Sequence, residues 1–188
     1  MNVFHRGWVI AVLSLLAACA SSGADLPSLG GGAADGDAAL GAYRLGPGDK
    51  VAVTVFGAPD LGGEMTIGDA GSVNAPLVGQ IKAVGFTTAA FADAWRDKLR
   101  EGFMRDPKVS VQVVAYRPVY IFGEVTKPGG YPFAPGMTVR SAVALGGGFS
   151  YRAQDAFVVV TRSGNDYRAP PTAPLLPDDI VRVPERTM

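Results

Sequence analysis

The run Tyr43-Arg44-Leu45-Gly46-Pro47-Gly48-Asp49-Lys50-Val51-Ala52-Val53-Thr54-Val55 sets a Pro-Gly turn directly in front of a strand. Val51, Val53 and Val55 alternate with Ala52 and Thr54, the period of two that turns one face of a β-strand into a core. The same form returns late in the chain. Leu175-Leu176-Pro177-Asp178-Asp179-Ile180-Val181-Arg182-Val183 and the stretch from Leu45 to Val53 both read Leu-x-Pro-x-Asp-x-Val-x-Val. A turn placed before an alternating strand accounts for each copy, and the match is too short to establish a duplication.

Outward from the first copy, Gly57-Ala58-Pro59-Asp60 breaks the strand, and short strands are predicted over 72–75 and 78–82. Thr87-Thr88 offers a helix N-cap. Phe91, Trp95, Leu99 and Phe103 then recur every four residues, with Arg96, Asp97, Arg100 and Glu101 on the other side. This pattern predicts an amphipathic helix of about four turns, ended by Asp106-Pro107. Val109, Val111 and Val113 alternate as a strand, so residues 43–116 read as one β-rich unit with a single helix.

A second unit over 117–186 starts at Arg117-Pro118. Residues 119–122 are β-prone, and the turn-rich Gly123-Glu124-Val125-Thr126-Lys127-Pro128-Gly129-Gly130-Tyr131 leads to another short strand. Thr138 caps a short helix carrying Val139, Ala142 and Val143, which Gly146-Gly147-Gly148 stops. A strand over 157–161, a polar turn at Ser163-Gly164-Asn165-Asp166 and a closing strand over 180–183 complete the unit. With 25 Gly and 14 Pro in 188 residues, the chain has many turns and short elements, and the predicted fold class is α+β.

Upstream, a basic start at His5 and Arg6 leads into an apolar run from Trp8 to Ala18, followed by the only cysteine, Cys19. This is the shape of a secretory signal over 1–18. The apolar run is about half the ~20 residues that a membrane-spanning helix needs. Leu16-Ala17-Ala18-Cys19 resembles the bacterial lipobox, which implies cleavage before Cys19 and a lipid on its thiol. Residues 19–42 are small, polar and Gly-rich and are expected to act as a flexible tether, roughly 25–30 Å in reach.

Removing residues 1–18 takes away the only histidine and leaves the charge within one unit of neutrality. That balance argues against nucleic acid as a partner, which needs a basic patch. With no histidine, and no cysteine beyond the lipid site, no disulfide, metal centre or cofactor is expected. Catalysis would fall to carboxylate pairs, Asp60/Glu64 or Asp178/Asp179, but each lies in a Pro/Gly-rich turn where Asp ordinarily bonds nearby backbone. No catalytic residue is therefore expected. Gly146-Gly147-Gly148 follows a helix rather than opening one, so it reads as a helix stop and not a phosphate loop. Tyr116, Tyr120, Tyr131, Phe133 and Tyr151 could stack on sugar rings, with core or interface packing as the more ordinary role. Arg44, Lys82, Lys108, Arg117, Lys127, Arg140 and Arg152 could line a path for an acidic polymer, with scattered solvated charge as the default.

These residues resemble the outer-membrane polysaccharide export (Wza-like) family. Tyr43-x-Leu45-x-Pro47-Gly48-Asp49, the segment 71–85, the helix and Pro107-x-Val109-x-Val111 are similar to its polysaccharide-export domain. Gly123-Glu124-Val125-x-x-Pro128-Gly129-x-Tyr131, Met137-Thr138-Val139, Gly147-Gly148-Phe149 and Asp179-x-Val181-x-Val183-Pro184 are similar to the SLBB domain, a small β-grasp-like module. The resemblance implies a lipid-anchored outer-membrane protein facing the periplasm. It further implies a homo-oligomeric ring that works with an inner-membrane polysaccharide co-polymerase to export capsular or extracellular polysaccharide. Larger members add a C-terminal amphipathic helix that forms a pore. This sequence closes at Pro184-Glu185-Arg186-Thr187-Met188, so the expectation is a periplasmic ring without its own helical pore, beneath a separate outer-membrane β-barrel. The alternative is a monomeric carbohydrate- or ligand-binding periplasmic lipoprotein.

Overall fold

The computed structural model describes residues 26–30 and 43–186. The signal segment 1–18 and Cys19 lie outside the described residues. The first copy of the repeated pattern opens β1 (Lys50–Val55), whose inward Val51, Val53 and Val55 are buried. β1 is the middle strand of a three-stranded antiparallel sheet, between β2 (Gly63–Thr66) and β5 (Val109–Ala115). A 3-10 turn at Pro59–Leu61 joins β1 to β2. β3 (Ser72–Ala75) and β4 (Gly79–Lys82) form a separate hairpin. The sequence predicted three strands before the helix. The fourth, β2, reads Gly-Glu-Met-Thr and carries no apolar alternation; its pairing to β1 is what makes it a strand.

α1 (Thr88–Arg100) is capped by the Thr87 hydroxyl, which accepts from the Ala90 N–H at 3.2 Å. Phe91, Trp95 and Leu99 are buried on one face, and the Phe91 and Trp95 rings meet edge-on at 5.6 Å between centroids. Phe103 departs from the expected stripe. α1 ends at Arg100, before Asp106-Pro107, and Gly102 at φ +153° turns the chain, leaving Phe103 49% exposed. A four-residue period carries a side chain into the core only while the helix lasts.

The second sheet runs in the order β7-β6-β10-β8-β9, from β6 (Val119–Gly123), β7 (Gly129–Tyr131), β8 (Val158–Arg162), β9 (Asn165–Ala169) and β10 (Ile180–Val183). Its first and last long strands in sequence, β6 and β10, pair in parallel, and the other pairs are antiparallel. α2 (Val139–Leu145) covers one face; Thr138 and Ser141 form a capping box. Gly146 ends α2, as the three glycines predict. The expected polar turn is shorter than its four residues. Only Ser163-Gly164 turn, both at positive φ, and Asn165 and Asp166 already belong to β9.

Gly123 explains one motif glycine physically. It lies at φ +89° where β6 meets β10, and a Cβ there would strike the Val183 carbonyl oxygen.

Residues 26–30 were expected to belong to a free tether. Instead they lie along the outer edge of β9. The Leu29 N–H donates to the Arg168 carbonyl at 2.9 Å, and the Arg168 N–H donates to the Pro27 carbonyl at 2.9 Å. β9 is an edge strand with unpaired backbone groups, so a passing segment gains hydrogen bonds by lying along it. Leu29 also packs on the second core.

Candidate functional site

The two Pro-turns are built alike around a buried carboxylate. Asp49 accepts from the Gly46 N–H at 2.8 Å and from the Tyr43 hydroxyl at 2.6 Å. Asp179 accepts from the Leu176 N–H at 2.7 Å. The residue before each aspartate, Gly48 or Asp178, has a positive φ. Each buried charge then has an arginine. Arg162 grips Asp179 with two bonds at 2.9 and 2.7 Å. Arg117 lies with its Nε 3.4 Å from Asp49 while its backbone N–H donates to the same carboxylate at 3.2 Å.

Arg117 also ties the two sheets together. Its Nη1 donates to Asp178 at 3.0 Å and its Nη2 to the Tyr43 hydroxyl at 3.2 Å. An aromatic ladder runs alongside: Tyr43 meets Tyr116 edge-on at 5.3 Å, and Tyr116 meets Phe133 edge-on at 5.4 Å. Burial first, then the hydrogen bond to Asp49, pushes the Tyr43 phenol well above its usual range. Burial and the Asp49 charge raise Tyr116 likewise. For Arg117, burial works to lower its pKa but is outweighed by Tyr43, Asp49 and Asp178, so it stays charged. The junction is a closed set of partners, suited to holding two units together and occupied at every carboxylate.

Of the four carboxylates considered for catalysis, three are engaged with separate basic partners. Glu64 pairs with Lys50 at 2.7 Å, Asp178 with Arg117 and Asp179 with Arg162, while Asp60 is exposed in the 3-10 turn. The aromatic candidates divide. Phe133 is buried, Tyr116 is half-buried in the ladder, and Tyr131 is half-buried with its hydroxyl donating to the Lys127 carbonyl at 2.6 Å. Tyr120 and Tyr151 are exposed. Sequence reasoning missed Phe122, which is exposed beside Tyr120. The alternation in Val119-Tyr120-Ile121-Phe122 was the available signal, since two buried residues there require two outward ones. Of the basic candidates, Arg44 donates to the Gly85 carbonyl at 2.8 Å, Arg117 belongs to the junction and Arg152 pairs with Glu185. Lys82, Lys108, Lys127 and Arg140 are exposed. No helix among the described residues is long and apolar enough to cross a membrane.

Comparison with known proteins places these features. Residues 37–114 match the model of the polysaccharide biosynthesis/export protein family, and residues 118–169 match the SLBB domain. The exopolysaccharide production protein ExoF of Rhizobium meliloti is 43% identical over 148 residues, covering 72% of this chain and 32% of ExoF. The polysialic acid transport protein KpsD of Escherichia coli is 26% identical over 144 residues, 74% of this chain and 26% of KpsD. The EPS I polysaccharide export outer membrane protein EpsA of Ralstonia nicotianae is 29% identical over 187 residues, 77% of this chain and 48% of EpsA. The chain thus spans between about a quarter and a half of these relatives. With both domain models matched in order on an α+β fold, the chain belongs to the polysaccharide export family and has one SLBB domain.

Proposed function

We propose that this protein is a non-catalytic component of a machinery that exports capsular or extracellular polysaccharide. Its polysaccharide-export domain spans 43–116 and its SLBB domain 117–186. Residues 1–18 are a lipoprotein signal, and Cys19 carries the lipid that holds the protein at the outer membrane, facing the periplasm. The chain assembles as a homo-oligomeric ring and works with an inner-membrane polysaccharide co-polymerase and a separate outer-membrane β-barrel. The observation that carries this reading is the export-domain match followed directly by the SLBB match. The Arg117 junction supports a scaffold or conduit role, because its carboxylates are used up in joining the two domains.

The test is a deletion strain assayed for polysaccharide in the medium and in the periplasm, with complementation by the wild-type chain and by Cys19→Ala. Secretion lost on deletion and restored by the wild-type chain supports export. Normal secretion in the deletion strain sinks it. Cys19→Ala is expected to fold normally and to leave the membrane fraction; if it stayed there without lipid, the anchor assignment would be wrong.

A further inference from the structure

The SLBB sheet has one face turned away from the α2 core. Val119, Ile121, Val181 and Val183 point into that core, so Tyr120, Phe122, Ile180 and Arg182 point out. The parallel register sets Ile180 opposite Tyr120 and Arg182 opposite Phe122. Neighbours on this face are ~4.8 Å apart across the strands and ~6.7 Å apart along them. Tyr120 is 46% exposed, Phe122 43% and Ile180 37%. One edge of the Tyr120 ring, Cδ1 and Cε1, stands beside Gly130, its partner on β7, where a Cβ would come within 3.2 Å of it.

Arg182 completes the arrangement. In the same domain Arg117, Arg152, Arg162 and Arg186 each face a carboxylate, Arg168 lies over the Phe157 ring, and the guanidinium of Arg140, exposed on α2, has no partner among the described residues. The Arg182 guanidinium likewise has no hydrogen-bond or ion-pair partner among the described residues, and unlike Arg140 it stands opposite an exposed phenyl ring on the sheet.

We infer that Tyr120, Phe122, Ile180 and Arg182 form a binding face for an acidic sugar unit, of the uronic acid class, within the exported polymer. The inference rests on the export reading for the identity of the ligand. A sugar ring offers a C–H face that stacks on an aromatic ring, while the carboxylate of a uronic acid matches the two-pronged guanidinium. The size of the patch favours a saccharide over a second copy of the chain. Two aromatic rings and one isoleucine, each a little under half exposed, present roughly 250 Å² of surface. A stable protein interface buries about 800 Å² per partner. One or two sugar rings fit the smaller area, and a contact of that size releases its ligand readily, as movement of a polymer requires.

The experiment uses the full chain in detergent, titrated with a glucuronic acid oligosaccharide and with a neutral glucose oligosaccharide of equal length. Affinity and assembly mass are both read. The acidic oligosaccharide is expected to bind more tightly. Arg182→Gln should weaken it roughly fivefold, the size of one exposed charge-assisted pair, and leave the neutral sugar unchanged. Tyr120→Ser and Phe122→Ser should weaken both sugars. Absence of saccharide binding, or equal affinity for acidic and neutral sugars, overturns the inference. So does a fall in assembly mass in these variants with sugar affinity intact, which would make the face a subunit contact. The two proposals fail separately. A deletion strain that secretes normally removes the export reading and leaves the binding data standing, whereas a secretion-defective deletion with no sugar bound removes only this face.

Discussion

Asp49 and Asp179, one in each domain, are held the same way: each is fully buried, accepts from the backbone N–H three residues before it, and faces one arginine. An isolated buried carboxylate is strongly disfavoured, and these two persist because turn backbone and guanidinium together replace water. The shared Leu-x-Pro-x-Asp-x-Val-x-Val pattern is therefore a device that starts a core strand from a locked turn.

Asp49→Ala and Asp179→Ala should each lower the unfolding free energy by about 3 kcal/mol or more, because each strips the acceptor from a buried turn N–H and breaks a buried ion pair; Arg162 then has no carboxylate, while Arg117 keeps Asp178. Chemical denaturation of both variants checks this. A loss below about 1 kcal/mol, the size of a surface pair, would refute the locked-turn account.

Arg117→Met should weaken the junction, giving faster protease cleavage between Tyr116 and Val119 while both cores persist. Combined with Asp49→Asn, the loss should be less than additive, with a coupling of about 1–3 kcal/mol in a double-mutant cycle. Full additivity would show that the two residues act independently.

The Tyr43 phenol is held above its usual range by burial and by Asp49. Its raised folded-state pKa means that its contribution is fully present from neutrality up to the unfolded value of 10.0 and is lost as pH rises beyond that. Tyr43→Phe should flatten the alkaline decline of stability above about pH 10. An unchanged slope would mean that Tyr43 is solvated.

Gly123→Ala should destabilise by about 2 kcal/mol or more, since it combines a positive φ with a clash against the Val183 backbone. Gly57→Ala, at φ +78° with open space around it, should cost about 1 kcal/mol. Equal losses would remove the clash from the explanation.

Phe103→Ser should shift stability by no more than about 0.5 kcal/mol, whereas Leu99→Ala should cost about 2–5 kcal/mol. A large effect at Phe103 would return it to the helical stripe that the sequence period suggested.

What the sequence made legible was local. Thr87 and Thr138 were readable as caps, the valines of β1 and β5 as alternating strands, and the triple glycine as a helix stop, because each depends on neighbours within a few residues. β2 and β9 were not readable, since their polar residues become strands only by pairing with β1 and β8. The junction was also hidden. Arg117 meets Asp49 and Asp178 across separations of 68 and 61 residues, and nothing in Arg117-Pro118 announces either partner. The outward aromatic face lay between these cases. Alternation around Ile121 implied it, but the β10 half, Ile180 and Arg182, needed the register.

The strap at residues 26–30 changes where mechanical load enters the molecule. It lies beside Arg168 in the SLBB domain, although the next described residue, Tyr43, belongs to the export domain. Tension applied at Leu26 is therefore borne first at the β9 edge, by the two hydrogen bonds that Pro27 and Leu29 make with Arg168. The export domain, whose first described residue Tyr43 comes later in the chain, is shielded until those bonds give way.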